Sequence, residues 1–449
     1  MKTLTKEQAQ EQAKRITDRV LSLSKADECT VAIEGSRVGN VRFARNSVST
    51  AGLTEDMQLV VRVAFGKRSG TAVVNEFDDK SLEKAVRRAE ELAKLAPENP
   101  EFMPAVSKQE YRATSTFVPK TAAIDPEFRA EVAATSIELG RKNKLVTAGF
   151  FTDSTRFATI ANSNGVFGHQ DFTDLAFSLT ARTEDGRGSG WVTRSAVDAA
   201  RFDAREASEV AIEKALRSVD AKALEPGRYT VILEPAATSE ILGNMFSSFD
   251  ARSADEGRSF LAKAGGGNRL GDKLFDSQVN IWADPWDKDV PVAPWDSESL
   301  LARERTQLIK DGRIASLEYS RYWAQKTGKR ATAGHGNMIM AGGTKSLDEL
   351  IEGTKKGIVV TRTWYIRMVD PQSLLITGLT RDGTFYVENG KIKYPLKNFR
   401  FNESPVTILN NIDELGKPQV IGGDEVPYQM VLPPMRVRDF NFTSLSDAV

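Results

Sequence analysis

The segment whose residue types and spacing most suggest chemistry is Ser239-Glu240-Ile241-Leu242-Gly243-Asn244. Its single carboxylate, Glu240, could act as a general base if a metal ion acidified a bound water molecule. A catalytic zinc ion is usually held by three protein ligands, drawn from imidazole, thiolate and carboxylate groups. The hydroxyl of Ser239 and the amide of Asn244 are weak neutral ligands by comparison. The residues of this segment therefore predict no catalytic group and no metal ligand.

The elements that must position this segment are a short buried strand and a helix. Tyr229 to Leu233 has the pattern of a buried strand, and Pro235 stands where a first helical residue tolerates a missing N–H group. Ile241, Met245 and Phe249 recur four residues apart. This spacing predicts a helix with one continuous apolar stripe.

Composition limits the classes of function. A chain of 449 residues predicts two or three domains. Lys+Arg and Asp+Glu are both 61, and a formal net charge of zero argues against a nucleic-acid-binding surface. The single cysteine, Cys29, allows no internal disulfide and fits a reducing compartment. A polar beginning and the lack of a long apolar run predict a cytoplasmic protein without a membrane span.

Helical and strand-like patterns divide the chain into an α+β architecture. Residues 1–96 are predicted to form an N-terminal α+β domain, with helices at 5–22 and 79–96 and strands at 29–34 and 41–50 between them. Residues 97–124, punctuated by prolines, are predicted to be a linker.

Two further units follow the linker. Residues 125–222 are predicted to form a second α+β domain, and both N-terminal units are layers of helices on antiparallel sheets. Residues 223–449 are predicted to form a predominantly antiparallel β domain carrying one inserted helix. No internal repeat of fixed period is visible.

The segment from Ser239 to Asn244 resembles, position for position, the His-Glu-x-x-Gly-His helix of the TldD/PmbA family, candidate modulators of DNA gyrase. In the metal-binding branch of that family the two histidines are zinc ligands and the glutamate activates water. Glu240 and Gly243 match this pattern, whereas Ser239 and Asn244 replace the histidines. The third ligand of the active branch is a C-terminal cysteine, and the C-terminal half of this chain has none.

The resemblance therefore implies the PmbA branch, also called TldE, in which Ser239, Glu240, Gly243 and Asn244 are degenerate metal-site positions. It extends over nearly the whole chain at moderate specificity. The other segments that carry it are Arg45 to Val48, Leu59 to Val63, Gly66 to Gly70, Gly257 to Leu261, Pro294 to Glu298, Gly334 to Asn337 and Leu432 to Val437.

The resemblance also implies a function. The chain would be the non-catalytic subunit of a TldD/TldE-type metallopeptidase complex that processes or degrades unfolded peptides. Zinc is expected only in a TldD-type partner, with no cofactor in this chain. An extended peptide would pair with a sheet edge, and His335 and Asn337 are candidates for the peptide groove. The alternative is a stand-alone homodimeric module that binds peptides or acts like a chaperone, without proteolytic activity.

Other motifs have plainer interpretations. The two histidines, His169 and His335, could form a metal or proton-transfer site, but hydrogen-bonded loop histidines are favoured because two lone imidazoles do not complete a zinc set. The carboxylate-rich stretch 284–298 is predicted to be an ordered loop packed by its tryptophans. Ser259 and Lys263 suggest a nucleophile pair, but their spacing is not that of a known Ser–Lys motif.

Overall fold

The computed structural model describes residues 6–423 and 429–446. The protein is a mixed α+β structure with three sheets, and most neighbouring strands are antiparallel. The predicted α+β fold class is confirmed. Among the described helices none is long and apolar enough to cross a membrane.

One sheet joins the two predicted N-terminal domains. Its strands are β1 (Glu28–Ala44), β2 (Ser47–Phe65), β3 (Arg68–Val74), β4 (Leu145–Asn162), β5 (Phe167–Thr183) and β6 (Ser189–Ala196). They lie in the order β3-β2-β1-β4-β5-β6, and every pairing is antiparallel. Because β1 pairs with β4, the two units share a single sheet. The exact domain boundaries remain predictions.

The helices and strands of this part of the chain occur in the same order twice. They are α1 (Lys6–Leu23), α2 (Asp79–Leu95), α3 (Pro119–Ala122), α4 (Pro126–Lys142) and α5 (Ala204–Arg217), with a 3-10 turn at Ala199–Arg201. The order α1-β1-β2-β3-α2 is repeated as α4-β4-β5-β6-α5. The strand order is symmetric about the β1–β4 pair. The structure therefore contains a repeated unit that was not visible in the sequence.

The predicted strands 29–34 and 41–50 are wrong at their boundaries. Strand β1 is continuous, and the hairpin turn falls at Arg45 and Asn46, where φ is 51° and 56°. Two adjacent residues with positive φ suit a two-residue hairpin loop, because its twist matches that of the flanking strands.

Two glycines inside β1 make room for neighbouring side chains. A Cβ atom at Gly35 would lie 2.2 Å from the Phe157 ring, and one at Gly39 would lie 2.1 Å from the Arg129 guanidinium. Arg129 in turn forms a buried ion pair with Asp153 at 2.7 Å. These glycines therefore admit close packing instead of ending the strand.

The C-terminal unit contains the other fifteen strands of the described chain. They are β7 (Gly227–Leu233), β8 (Ile281–Ala283), β9 (Thr306–Lys310), β10 (Arg313–Ile314), β11 (Asn337–Met340), β12 (Lys356–Val360), β13 (Thr363–Asp370), β14 (Leu375–Thr380), β15 (Thr384–Glu388), β16 (Lys391–Pro395), β17 (Phe399–Glu403), β18 (Ile412–Leu415), β19 (Gln419–Ile421), β20 (Gln429–Leu432) and β21 (Met435–Leu445).

These strands form two sheets. A nine-stranded sheet has the order β13-β14-β17-β21-β7-β12-β15-β16, with β18 also paired to β21, and a six-stranded sheet has the order β10-β9-β8-β11-β20-β19. Within the described residues only the β7–β12 and β11–β20 pairs are parallel. The predominantly antiparallel character predicted for this unit is therefore observed.

The inserted helix predicted from the sequence is α6 (Pro235–Phe246). Four shorter helices of five to seven residues accompany it in the described chain: α7 (Ala251–Asp255), α8 (Arg321–Thr327), α9 (Leu347–Glu352) and α10 (Pro405–Asn410). Ile241, Leu242 and Met245 have no exposed surface and lie in the largest hydrophobic core. Phe249 is also buried but lies beyond the end of α6. The packing of α6 on several sides fixes its position in the core.

Candidate functional site

The helix α6 begins directly after strand β7. Glu234 occupies the N-cap position without a side-chain cap, and Pro235 is the first helical residue. The Glu234 carboxylate pairs with Lys214 of α5 at 2.7 Å instead. Pro235 needs no hydrogen-bond partner for its nitrogen, so the helix can start abruptly at the end of a buried strand. This connection places the segment from Ser239 to Asn244 one turn into the helix.

The two polar residues at the positions predicted to be a degenerate metal site bond to their own helix. Ser239 is buried, and its hydroxyl donates to the carbonyl oxygen of Ala236 at 3.0 Å. The Asn244 amide donates to the carbonyl oxygen of Glu240 at 2.8 Å. Gly243 is buried between them. Both side chains therefore donate hydrogen bonds to backbone carbonyl oxygens of their own helix, as such residues commonly do inside helices.

Glu240 is half-buried and lines a cleft of about 350 Å³ beside α6. Ser239 lies on the same side of the cleft. The opposite wall comes from β13 and the residues before it, together with one ring from β6. That wall contains Trp191, Arg362, Thr363, Trp364, Tyr365 and Arg367. None of these residues was predicted from the sequence to be part of a site.

The wall of the cleft is a stack of guanidinium groups and indole rings. Arg362 lies 3.9 Å from the centre of the Trp191 ring and 4.8 Å from that of Trp364. The Arg381 guanidinium lies 4.7 Å from the centre of the Trp364 ring. Buried Asp382 accepts a hydrogen bond from Arg362 at 2.7 Å. Cation–π contacts strengthen when they are desolvated, so this wall is a rigid feature.

The cleft contains a backbone outlier at Tyr365. Its φ is 56°, and the register between β13 and β14 shifts between Trp364 and Arg367. Bulky residues rarely adopt this left-handed conformation, and such strain persists where the surrounding structure enforces it. The bulge turns the exposed Tyr365 and Arg367 toward the mouth of the cleft. Bulges of this kind often redirect side chains next to functional sites.

The donor set around Glu240 does not fit a catalytic zinc ion. Glu240 is the only carboxylate that lines the described cleft, and its neighbours there are a hydroxyl, guanidinium groups and aromatic rings. Guanidinium groups remain protonated and repel a metal cation. Across the described chain, no group of three or more His, Cys, Asp or Glu side chains is arranged to hold a metal ion.

His335 lies in a second cavity, of about 480 Å³, between the C-terminal unit and the linker. Its ring packs 5.7 Å from that of Phe246, the last residue of α6. Its Nδ1 contacts the carboxylate of Glu318, and its backbone N–H donates to the same carboxylate at 3.0 Å. Burial acts to raise the pKa of Glu318, but the hydrogen bonds and charge of His335 outweigh it and hold that pKa below its usual value.

Asn337 lines the same cavity, but its polar atoms hold a loop. Its amide donates to the carbonyl oxygens of Asp284 and Val290, at 2.7 and 2.6 Å. Its carbonyl oxygen accepts from the backbone N–H of Asp284 at 3.0 Å. These contacts use both amide protons, so the structure gives Asn337 a tethering role, whereas His335 remains a wall residue of the cavity. Their place in a peptide groove remains a prediction.

The remaining sequence motifs have structural roles. His169 is buried, with Nδ1 at 2.7 Å from the Thr159 hydroxyl. The 284–298 loop is packed by Trp295, which is buried and lies against Tyr111. The hydroxyl of Ser259 donates to a backbone carbonyl oxygen, that of Ser248. Lys263, its proposed partner in a nucleophile pair, lies 3.0 Å from Asp272 instead.

The chain matches three domain models of one protein family. The PmbA/TldA metallopeptidase domain 1 matches residues 29–93, the central domain matches 119–219, and the C-terminal domain matches 226–444. Among curated proteins, the metalloprotease PmbA of Escherichia coli O157:H7 is 22% identical over 440 residues, covering 93% of each chain. A metalloprotease of Methanothermobacter thermautotrophicus is 25% identical over 322 residues, covering 64% of this chain and 68% of its own.

Solved structures have the same fold. The crystal structure of TldE from Thermococcus kodakarensis aligns with a TM-score of 0.85 at 18% identity, covering 97% of this chain and all of that one. A candidate modulator of a DNA gyrase from Thermotoga maritima aligns with a TM-score of 0.85 at 17% identity, covering 96% of this chain and 100% of its own. With all three domain models matched in order along the sequence, the chain belongs to the PmbA/TldD metallopeptidase family.

Proposed function

We propose that this chain is the non-catalytic subunit of a two-subunit metallopeptidase that acts on unfolded peptides. The observation that carries the proposal is the chemistry of the α6 cleft. Ser239 and Asn244 stand at the two ligand positions and bond to their own helix backbone, and the facing wall supplies guanidinium groups. A TldD-type partner would supply the zinc ion and the activated water.

The edge strand β13 is the place where we expect the peptide to bind. In the described structure β13 pairs only with β14, so its other side offers main-chain N–H and C=O groups. Tyr365, Met368 and Val369 on this strand are exposed. An extended peptide added to such an edge gains main-chain hydrogen bonds with little dependence on its sequence. It would lie beside the Glu240 cleft and could continue into the active site of the partner.

The relatives support this proposal to different degrees. The curated E. coli relative is named a metalloprotease, and the Thermococcus structure is named TldE. The single cysteine, Cys29, is buried, so a reducing cytoplasm would suit the chain. The proposal assigns peptide hydrolysis to the complex and peptide placement to this chain.

The test is to purify this chain alone, a TldD-type partner alone, and the two together. Zinc is measured in each sample by elemental analysis, and hydrolysis of an unfolded fluorescent peptide is followed with and without a chelator. We expect stoichiometric zinc only in samples with the partner, and chelator-sensitive hydrolysis that rises when this chain is added. Stoichiometric zinc in this chain alone, with peptidase activity lost in Glu240→Gln, would refute the proposal.

Peptide placement is tested separately with variants of β13. Met368→Lys should weaken stimulation of the partner, because the new charge disturbs the apolar edge that receives the peptide. Val73→Lys is the matched control, since Val73 is an exposed apolar residue on another edge strand, β3. Equal stimulation by both variants would contradict the placement. A stable homodimer that binds peptide and ignores the partner would instead support the stand-alone peptide-binding module.

A further inference from the structure

The first sheet has an edge that is open along ten residues, Ser47–Asp56 of β2, here called the open edge. Strand β3 covers β2 only from Leu59 onward. All ten residues of the open edge are exposed on both faces. The segment contains no Lys, Arg or Pro, the residues with which proteins commonly block sheet edges against pairing with another chain. The open edge therefore keeps the capacity to accept another strand.

One face of the open edge is apolar and points to the core side of the sheet. Leu53 and Val48 lie opposite Gly39 and Phe43 of β1, which are buried on that side. Even so, 48% of Leu53 and 51% of Val48 remain exposed. Neither side chain belongs to a hydrophobic core cluster of the described residues. A second strand added to the edge would bury both.

A groove of about 800 Å³ separates the open edge from α4. Its apolar lining comes from Ala130, Ala134 and Ile137 of α4 and from Val48 of β2. Glu138, Arg141 and Lys142 of α4 also line it. A strand paired with the open edge would direct every second side chain into this groove.

We propose that the open edge is occupied by the same edge of a second copy of this chain, paired antiparallel across a two-fold axis. The pairing of β1 with β2 passes over an extra residue at Ser49. If Ser49 is also left unpaired between the two copies, a two-fold axis at Ala51 places Val48 of one copy opposite Leu53 of the other. The apolar side chains of one copy would thus pack against those of the other. The two six-stranded sheets would then join into one.

Charge favours this antiparallel register and a second copy as the occupant. The open edge ends in Glu55 and Asp56, and the turn at its other end carries Arg45. The Arg141 guanidinium of α4 donates to the carbonyl oxygen of Asn46 in that turn. The antiparallel register brings Asp56 of one copy to Arg45 of the other, twice per dimer. A parallel arrangement would set the two acidic ends side by side, which is unfavourable.

This inference is independent of the proposed function. The open edge belongs to the first sheet, whereas α6 and β13 belong to the C-terminal unit. A dimer through the open edge leaves β13 available for peptide and for a partner subunit. Either proposal can therefore fail while the other holds.

Sedimentation of the purified full-length chain over a range of concentrations tests the dimer. We expect a species of twice the 49.4 kDa chain mass. Leu53→Lys should give only the monomer at the same concentrations. Val73→Lys is the matched control, because Val73 is an exposed apolar residue on β3, the strand at the edge next to β2 but outside the ten-residue segment, and should leave the dimer intact. Thermal unfolding of both variants establishes that each is folded.

A charge exchange tests the register. Arg45→Asp and Asp56→Arg should each raise the dissociation constant of the dimer, about tenfold for two surface pairs. The double variant carrying both exchanges should restore it, because each exchanged residue again meets its opposite charge. A wild-type chain that stays monomeric would overturn the proposal, and so would a dimer insensitive to Leu53→Lys or unrestored by the double exchange. Pairing of this edge only with a different protein would overturn it as well.

Discussion

Removing the guanidinium of Arg362 is expected to lower the free energy of unfolding by about 3 kcal/mol. The side chains of Arg362 and Asp382 are 7% and 1% exposed and lie 2.7 Å apart. Deleting one partner of a buried ion pair costs about 3–5 kcal/mol, because the remaining charge stays buried without compensation. We expect a loss at the lower end of this range, because two other groups still compensate the Asp382 charge. The Ser189 hydroxyl and the Arg381 guanidinium lie 2.5 and 3.7 Å from its carboxylate.

The assay is urea unfolding of Arg362→Ala, followed by tryptophan fluorescence. The Arg362 guanidinium lies between the rings of Trp191 and Trp364, so its removal should also change the emission of the folded protein. A double-mutant cycle with Asp382→Ala isolates the pair, for which a coupling energy on the order of 2 kcal/mol is expected. Arg367→Ala is the matched control: Arg367 lies on β13, just after Arg362, but is exposed, and its removal should change stability by less than about 0.5 kcal/mol.

Two results would refute this reasoning. A loss below about 1 kcal/mol for Arg362→Ala would mean that water solvates Asp382 once the arginine is gone, as in an exposed pair. A coupling energy near zero in the cycle would mean that the arginine acts through its aromatic contacts alone. Either result would remove the rigid wall from the description of the cleft.

Three further outcomes follow from single groups. Burial raises the pKa of Cys29 to about 11, so its thiol should resist alkylation at pH 8 in the folded protein and react on unfolding, as mass spectrometry would show. Burial acts to raise the pKa of Glu318, but His335 outweighs it, so this pKa is lowered in the folded state. The stabilisation that ionised Glu318 gives the fold is therefore present above its unfolded pKa and is lost as pH falls through its folded pKa. His335→Gln removes this contact and should move acid unfolding to higher pH. Tyr365→Gly should raise stability by up to about 1 kcal/mol by relieving the positive φ, whereas Trp364→Gly should lower it in the same thermal melts.

Local patterns predicted the longer helices well, but not the short helices of four to seven residues. The expected helix 79–96 is observed as Asp79–Leu95, capped by Asp78, because amphipathic spacing and capping are properties of neighbouring residues. The shared first sheet was not predictable in this way. Its central pair joins residues such as Val31 and Ala161, and no local signal specifies a partner so distant along the chain. The short strands β8 to β11, of two to five residues, are likewise too brief to show a period.

In the candidate site, too, only the residues that are adjacent in the sequence could be predicted. The α6 positions could be found from the sequence because the motif is contiguous on one helix. The facing wall could not, since Trp191, the stretch 362–367 and Asp382 meet only in the folded chain. Arg362, Trp364 and Arg367 are close in the sequence, but aromatic residues are common in strands and do not by themselves indicate a site. His335 and Asn337 show a further limit, because two neighbours in one glycine-flanked segment have different tasks.

The core explains how this fold can hold a cleft without metal ligands. In a structural zinc site, metal binding contributes directly to folding, so loss of the ligands would unfold the site. Here Ile241, Leu242 and Met245 are completely buried, and hydrophobic packing fixes α6 whatever residues occupy positions 239 and 244. The helix would therefore hold its place beside β13 whether histidines or the present Ser239 and Asn244 occupied these positions. Under the proposed function, a subunit without its own zinc site would keep what peptide placement requires: a fixed helix, a cleft and the free edge of β13.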